Sequence, residues 1–377
     1  MPQEPVQLIP GDERRKPEAG IGLCLSGGGY RAMLFHAGSL WRLYESGLLA
    51  RAKRISSVSG GSIAAATLAL RWRELSFDPA DVRSDFVPKV VVPLRGLASE
   101  TIDGEAIILR LVLPGSVSDR VAAAYEKHLF GSATLQDLPD EPRFVINATN
   151  VQSGVLWRFS KPYMRDYRVG EIRKPTLALA KAVAASSAFP PVLSPLELRF
   201  DAGQYTPGSG LDLQRAPYTT KVVLTDGGVY DNLGLETVWK RYDTVLVSDG
   251  GGQMQPEEEP KSDWARHAYR VLDVIDNQVR ALRKRQTIES FISGARKGTY
   301  WGIRTDLAAY KVETPLACPL ERTTALAQTP TRLKRMDDAL QERLINWGYA
   351  VCDAALRAHV DRKLARPGGF PYPASGV

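Results

Sequence analysis

The chain has 377 residues, 44% hydrophobic and 24% charged, with a net charge of +7 and a pI near 9.2. That balance excludes a disordered or fibrous chain, and no stretch reaches the roughly 20 uninterrupted apolar residues of a membrane helix. The basic excess favours an anionic partner such as an acidic membrane face or nucleic acid without identifying it.

In chain order, Met1 to Ala19 is a polar, proline-containing arm not built like a signal peptide, which leads to the expectation of a cytoplasmic protein. From Gly20 to Gly252, short β-branched runs alternate with helical stretches. The spacing predicts strands over 21–26, 54–58, 143–148, 221–225 and 244–248, and helices over 31–46, 62–73 and 176–185. Such alternation is what a mostly parallel sheet with helices on both faces requires, so the expected class is α/β. Residues 77–139 break the pattern with two apolar runs, "FVPKVVVPLRGL" and "AIILRLVLPG". They read as a helical insertion packed over the sheet, which is either plain helical core or a candidate lid or lipid-facing cap. After Gly252 an acidic, proline-rich linker leads into a C-terminal, mainly helical extension over 253–365, whose Arg280 to Arg285 run, "RALRKR", is strongly basic. Residues 366–377, rich in Pro and Gly, read as a flexible tail. The cysteines, Cys24, Cys318 and Cys352, are odd in number and lack metal-ligand spacing, so they read as buried free thiols, and neither a metal nor a cofactor is expected.

The chemistry concentrates in three turns. In "SGGGYRAM" a strand ends in Gly27, Gly28 and Gly29 and a helix begins at once, which leaves main-chain N–H groups free at a helix N-terminus. Such a cradle takes either a phosphate or the oxyanion of an attacked carbonyl, and the loop has neither a Walker ending nor a dinucleotide fingerprint. The second turn decides. "SSVSGGS" runs from a short strand into an alanine-rich helix, the setting of a nucleophile elbow, with Ser59 at the elbow position. Ser56, Ser57 and Ser62 match in residue type only. A serine nucleophile needs a base. None of His36, His128, His267 or His359 falls in a turn at a strand end, whereas "VVLTDGGVYDN" sets Asp226 at the end of one. A Ser59–Asp226 dyad is the resulting expectation, with Asp231 and Asn232 read as caps of the next helix.

In this order, "SGGGYRAM", "SVSGG", "ASSAFPPVLSP" and "TDGGVYDN" resemble the patatin-like and cytosolic phospholipase A2 superfamily of lipid acyl hydrolases, over about residues 20 to 252. Ser26 stands where patatins often have aspartate and Ala32 where they often have glycine, both similar to the cytosolic phospholipase A2 form of the loop. The resemblance implies a three-layer α/β/α fold and a histidine-free dyad: Asp226 takes the Ser59 proton, Ser59 attacks an ester carbonyl, and the N–H groups of Gly28 and Gly29, with Gly27 as a third candidate, hold the oxyanion. Arg31 would hold a substrate phosphate or support the loop through a carboxylate. The expected activity is hydrolysis of fatty acyl esters of glycerophospholipids through an acyl-enzyme, at a transiently bound phospholipid membrane surface and with no nucleic acid polymer as partner. Two other readings share the dyad: a soluble esterase, thioesterase or acyltransferase, and a cyclic-dinucleotide-activated phospholipase of antiphage defence, with basic residues between Arg266 and Arg296 meeting the nucleotide regulator.

Overall fold

The computed structural model describes residues 16–103 and 117–377. Ten strands form one sheet: β1 (Glu18–Leu25), β2 (Ala52–Val58), β3 (Arg143–Asn150), β4 (Val155–Phe159), β5 (Tyr163–Asp166), β6 (Gly170–Arg173), β7 (Leu196–Arg199), β8 (Lys221–Asp226), β9 (Tyr242–Asp249) and β10 (Lys297–Gly302). The principal helices are α1 (Gly29–Glu45), α2 (Gly60–Arg71), α3 (Val92–Ala98), α4 (Val117–Tyr125), α5 (Leu179–Ser186), α6 (Trp264–Ile292) and α7 (Asp338–His359).

Five strands, in the order β10-β9-β1-β2-β3, are mutually parallel, and the sheet continues antiparallel through β4, β5 and β6. The expected class, a mostly parallel sheet with flanking helices, holds. Its two faces can be read from the strand alternation. On β1, Leu23 and Leu25 join the large cluster beneath α1, α2 and α7, while Cys24 joins a smaller one with Val245, Val247 and Val238. Helices therefore cover both sides of the sheet.

On the large side α1 and α7 cross backbone to backbone. A Cβ on Gly38 would sit 1.9 Å from the Ile345 carbonyl oxygen, and one on Gly348 1.9 Å from that of Phe35. Only glycine at both positions allows this approach. Arg42 of α1 then meets Asp353 of α7 at 2.9 Å, with both side chains buried.

Two sequence expectations are decided here, the first for the helical-core reading and the second against the flexible tail. The first apolar run of the 77–139 segment is core and not a lipid-facing cap: Phe86, Val90, Val91, Leu94 and Leu97 are buried in the large cluster, and Val92 is left exposed. The second run, residues 106–115, lies outside the described residues. Residues 366–377 are docked instead of trailing free. The Asn346 side-chain amide donates to the carbonyls of Tyr372 (2.8 Å) and Gly376 (2.7 Å), the Tyr372 ring lies against Arg95 and Trp41, and Val377 is buried. Among the thiols, Cys24 and Cys352 are buried and Cys318 is half-buried; all three are free.

Candidate active site

The site arises from how strands share the edge of β3. Along that edge β2 runs parallel until Val58 faces Asn147, and β8 then pairs antiparallel from the next residue on, with Asp226 facing Ala148. β4 occupies the other edge. The ends of β2 and β8 therefore abut, and the residue after Val58 must meet the Asp226 side chain.

That residue is Ser59, with φ 51° and ψ −121°, a backbone conformation unfavourable for a residue with a Cβ. The surroundings hold it there. The Ser59 N–H donates to Ser186 Oγ (2.9 Å), Ser186 Oγ donates to the Asn147 carbonyl (2.6 Å), and the Ser59 carbonyl accepts the N–H of Ser62 (2.8 Å). The two glycines after it make room for the glycine loop: a Cβ on Gly60 would lie 2.1 Å from the Gly29 carbonyl oxygen, and one on Gly61 2.5 Å from that of Leu25. The competing serines serve as scaffold. Ser62 Oγ bonds Ser57 Oγ (3.0 Å) and Ser186 Oγ (2.9 Å), and Ser56 Oγ accepts from Asn147 Nδ2 (2.9 Å) and Thr237 Oγ1 (2.7 Å).

Asp226 is buried and held at its backbone by Ala188 and Thr149. Its Oδ1 accepts the Gly228 N–H (2.7 Å), and no hydrogen bond is made to Oδ2 among the described residues. Burial raises its pKa from 3.8 to about 7, against the Gly228 N–H and the Ser59 hydroxyl, which lower it, and with the Asp276 charge adding to the rise. The Ser59 hydroxyl is thus near enough to act on the carboxylate. A buried carboxylate with one unpartnered oxygen and a pKa near neutrality is matched to accepting a proton.

The glycine loop passes beside Ser59. A Cβ on Gly27 would stand 3.1 Å from Ser59 Cβ, and Gly28 (φ 144°) and Gly29 (φ 60°) adopt conformations that favour glycine. Among the described residues nothing accepts the N–H of Gly28 or Gly29, and both lie at the N-terminus of α1, whose dipole favours an anion. The Gly27 N–H is different: it is donated to the Asn232 carbonyl (3.1 Å). Gly27 is therefore withdrawn from the expected oxyanion donors, because its proton is committed to holding the loop. Asn232 serves as floor to that loop, while Asp231 caps the next helical turn, its Oδ2 accepting the Glu236 N–H (2.7 Å).

Arg31 is buried, and its guanidinium donates to the carbonyls of Gly250 (3.1 Å) and Thr329 and to Thr331 Oγ1 (2.8 Å). These partners are oxygens of the surrounding loops, and the expected carboxylate is not among them. Burial, then the charge of Arg280, brings its pKa down to about 10, with Asp249 opposing. His36 faces the Ser26 carbonyl through Nε2 (2.9 Å) and Ser248 Oγ through Nδ1 (2.8 Å), so both ring nitrogens are occupied beneath the loop. Burial lowers its pKa to about 4, which keeps it neutral at physiological pH.

Sequence reasoning missed three contributors. Ser186 lies in a quoted motif, but its role depends on a tertiary contact. Asn232 acts through its main chain. The third is α6: Asp276 acts on Asp226, and a Cβ on Gly251 would lie 2.2 Å from Arg280 Nη2, so this helix runs across the end of the sheet that carries Ser59 and Asp226.

Residues 23–239 match the model of the patatin-like phospholipase family. Among solved structures, human GIVD cytosolic phospholipase A2 bound to methyl gamma-linolenyl fluorophosphonate is similar at 16% identity and TM-score 0.49, over 91% of this chain and 58% of that one. The same human enzyme in another structure matches at 16% identity and TM-score 0.40, over 69% of this chain and 51% of that one. VipD from Legionella pneumophila matches at 16% identity and TM-score 0.37, over 92% of this chain and 68% of that one. The chain thus spans between about half and three fifths of the human enzyme in these comparisons. No curated protein matches it.

Proposed function

Since this chain belongs to the patatin-like phospholipase family, we propose that it hydrolyses fatty acyl esters of glycerophospholipids with Ser59 as nucleophile and Asp226 as base. The observation that carries the reading is the free Oδ2 of a buried Asp226 beside a serine held in a strained elbow. Asp226 takes the Ser59 proton as Oγ attacks the carbonyl carbon, and the carbonyl oxygen, now negative, is held by the N–H groups of Gly28 and Gly29. The intermediate collapses with cleavage of the C–O ester bond, and the leaving alkoxide receives the proton from Asp226. Water, deprotonated by Asp226, then attacks the acyl-Ser59 ester, and the fatty acid leaves as Oγ regains its proton. One donor of the oxyanion kind is worth about 3 to 4 kcal/mol in the transition state. In this scheme Arg31 supports the loop, since three of its donors are engaged there. The protein works at the membrane surface as a peripheral enzyme; no described helix is long and apolar enough to cross a bilayer.

A fluorophosphonate ester tests the assignment of the nucleophile. It should form one adduct, mapped by mass spectrometry to Ser59 and absent from Ser59→Ala. An adduct on another serine that persists in Ser59→Ala overturns the assignment.

A further inference from the structure

α6 is amphipathic in the reverse sense. An ordinary surface helix turns its apolar face to the core. Here most residues turned toward the protein before the last turn are polar, among them Asp273, Asp276, Arg280, Lys284 and Thr287, with Phe291 anchoring the C-terminal end, whereas Trp264, Leu272, Ile275 and Leu282 are 85%, 62%, 50% and 52% exposed. At 100° per residue, Trp264, Val271, Ile275, Val279 and Leu282 fall on one stripe, with Leu272 and Val274 on its flanks. An exposed apolar surface of this extent marks a contact with something else.

Two features select the occupant. A helix–helix seam is narrow and bordered by charges that set partner and register, but the positions bordering this stripe hold Leu272 and Val274, and Gln278 interrupts the seam itself. The apolar arc is too wide for a two-stranded pair and fits a fluid apolar medium. The charges agree with this: of the ionisable side chains on α6, Arg266, His267 and Arg285 are exposed against Glu289, while Asp273 and Asp276 turn inward. Basic residues around an apolar face containing tryptophan are the mark of a helix lying in the head-group region of an anionic bilayer. The catalytic end presents further exposed apolar residues: Phe189, next to the Ala188 that binds the Asp226 N–H, and Val229, three residues beyond Asp226.

We propose that the outer face of α6, from Trp264 to Leu282, is the surface by which this protein docks on an anionic phospholipid bilayer, with the Ser59–Asp226 site beneath the helix brought against the lipid. The proposal rests on the lipid-hydrolase reading for its purpose, but docking can be read without catalysis.

Full-length Ser59→Ala protein, which leaves vesicles intact, is mixed with vesicles of equal phosphatidylglycerol and phosphatidylcholine, or of phosphatidylcholine alone. It should sediment with the anionic vesicles and shift its tryptophan emission to the blue, a shift that Trp264→Phe removes. Leu272→Gln/Ile275→Gln/Leu282→Gln in the same background should bind at least tenfold more weakly at an unchanged melting temperature, the sites being exposed. Should the triple variant misfold, the Trp264 shift still decides. Equal sedimentation of the triple variant, no Trp264 shift, or a dimer in solution that the triple substitution splits without changing vesicle binding overturns the proposal. Docking by a protein whose wild type releases no fatty acid would sink the function and leave the docking surface standing.

Discussion

Ser186 Oγ accepts the Ser59 N–H at 2.9 Å and donates its own proton to the Asn147 carbonyl at 2.6 Å. One hydroxyl of α5 thereby ties the elbow to β3. Ser186→Ala strands both partners in a buried setting, which costs about 1 to 3 kcal/mol of stability. Because the elbow is strained, it also relaxes, and kcat should fall by about tenfold or more, with a smaller change in KM. Chemical denaturation and steady-state kinetics on a soluble ester read the two effects separately; Ser186→Thr, which retains the hydroxyl, should recover part of the loss.

The proposed dyad draws its pH dependence from Asp226, whose pKa burial lifts from 3.8 to about 7. Only the ionised carboxylate accepts the serine proton, so kcat/KM should climb tenfold per pH unit below about 7 and level off above it.

Stability responds in the opposite sense. Between about pH 4 and 7 the folded protein keeps a proton on Asp226 that the unfolded chain has released, so this group's contribution falls as pH rises across that window. Asp226→Asn cannot ionise and still accepts the Gly228 N–H. It should therefore be more stable than wild type at pH 8, by at most about 4 kcal/mol, and the difference should vanish near pH 4. Thermal unfolding at both pH values checks this.

Gly29→Ala should leave a folded but crippled protein. The new Cβ would meet the Arg332 carbonyl oxygen at 2.6 Å at a φ of 60°, which displaces the loop. Loss of an aligned oxyanion donor lowers kcat by about 10²- to 10³-fold.

At the α1–α7 crossing, Gly348→Ala places a Cβ 1.9 Å from the Phe35 carbonyl oxygen, where only backbone could give way. Overpacking of this kind costs about 3 kcal/mol, measurable as a lower urea midpoint.

Much of this was legible in the chain. The parallel strands declared themselves through β-branched runs, and "SVSGG" and "TDGGVYDN" placed Ser59 and Asp226 on strand ends. The antiparallel part was hidden, because "YMRD", "GEIR" and "LELR" are four-residue strands whose pairing is decided by tertiary neighbours. Composition misled for residues 366–377: their Pro and Gly read as disorder, but one buried side chain, Asn346, satisfies their backbone from a distance. Periodicity marked α6 as a helix and was silent on which face turns inward, since that depends on what lies beneath it. The Gly27 donor failed for a similar reason, its partner being a main-chain carbonyl over 200 residues away.

Release of fatty acid from mixed phospholipid vesicles, monitored by mass spectrometry for wild type, Ser59→Ala and Asp226→Asn, tests the dyad most directly. Wild type should yield fatty acid and lysophospholipid in equal amounts, and both variants, folded by circular dichroism, should fall by at least about 10³-fold. Substantial release by folded Ser59→Ala, or none by wild type, would contradict the account.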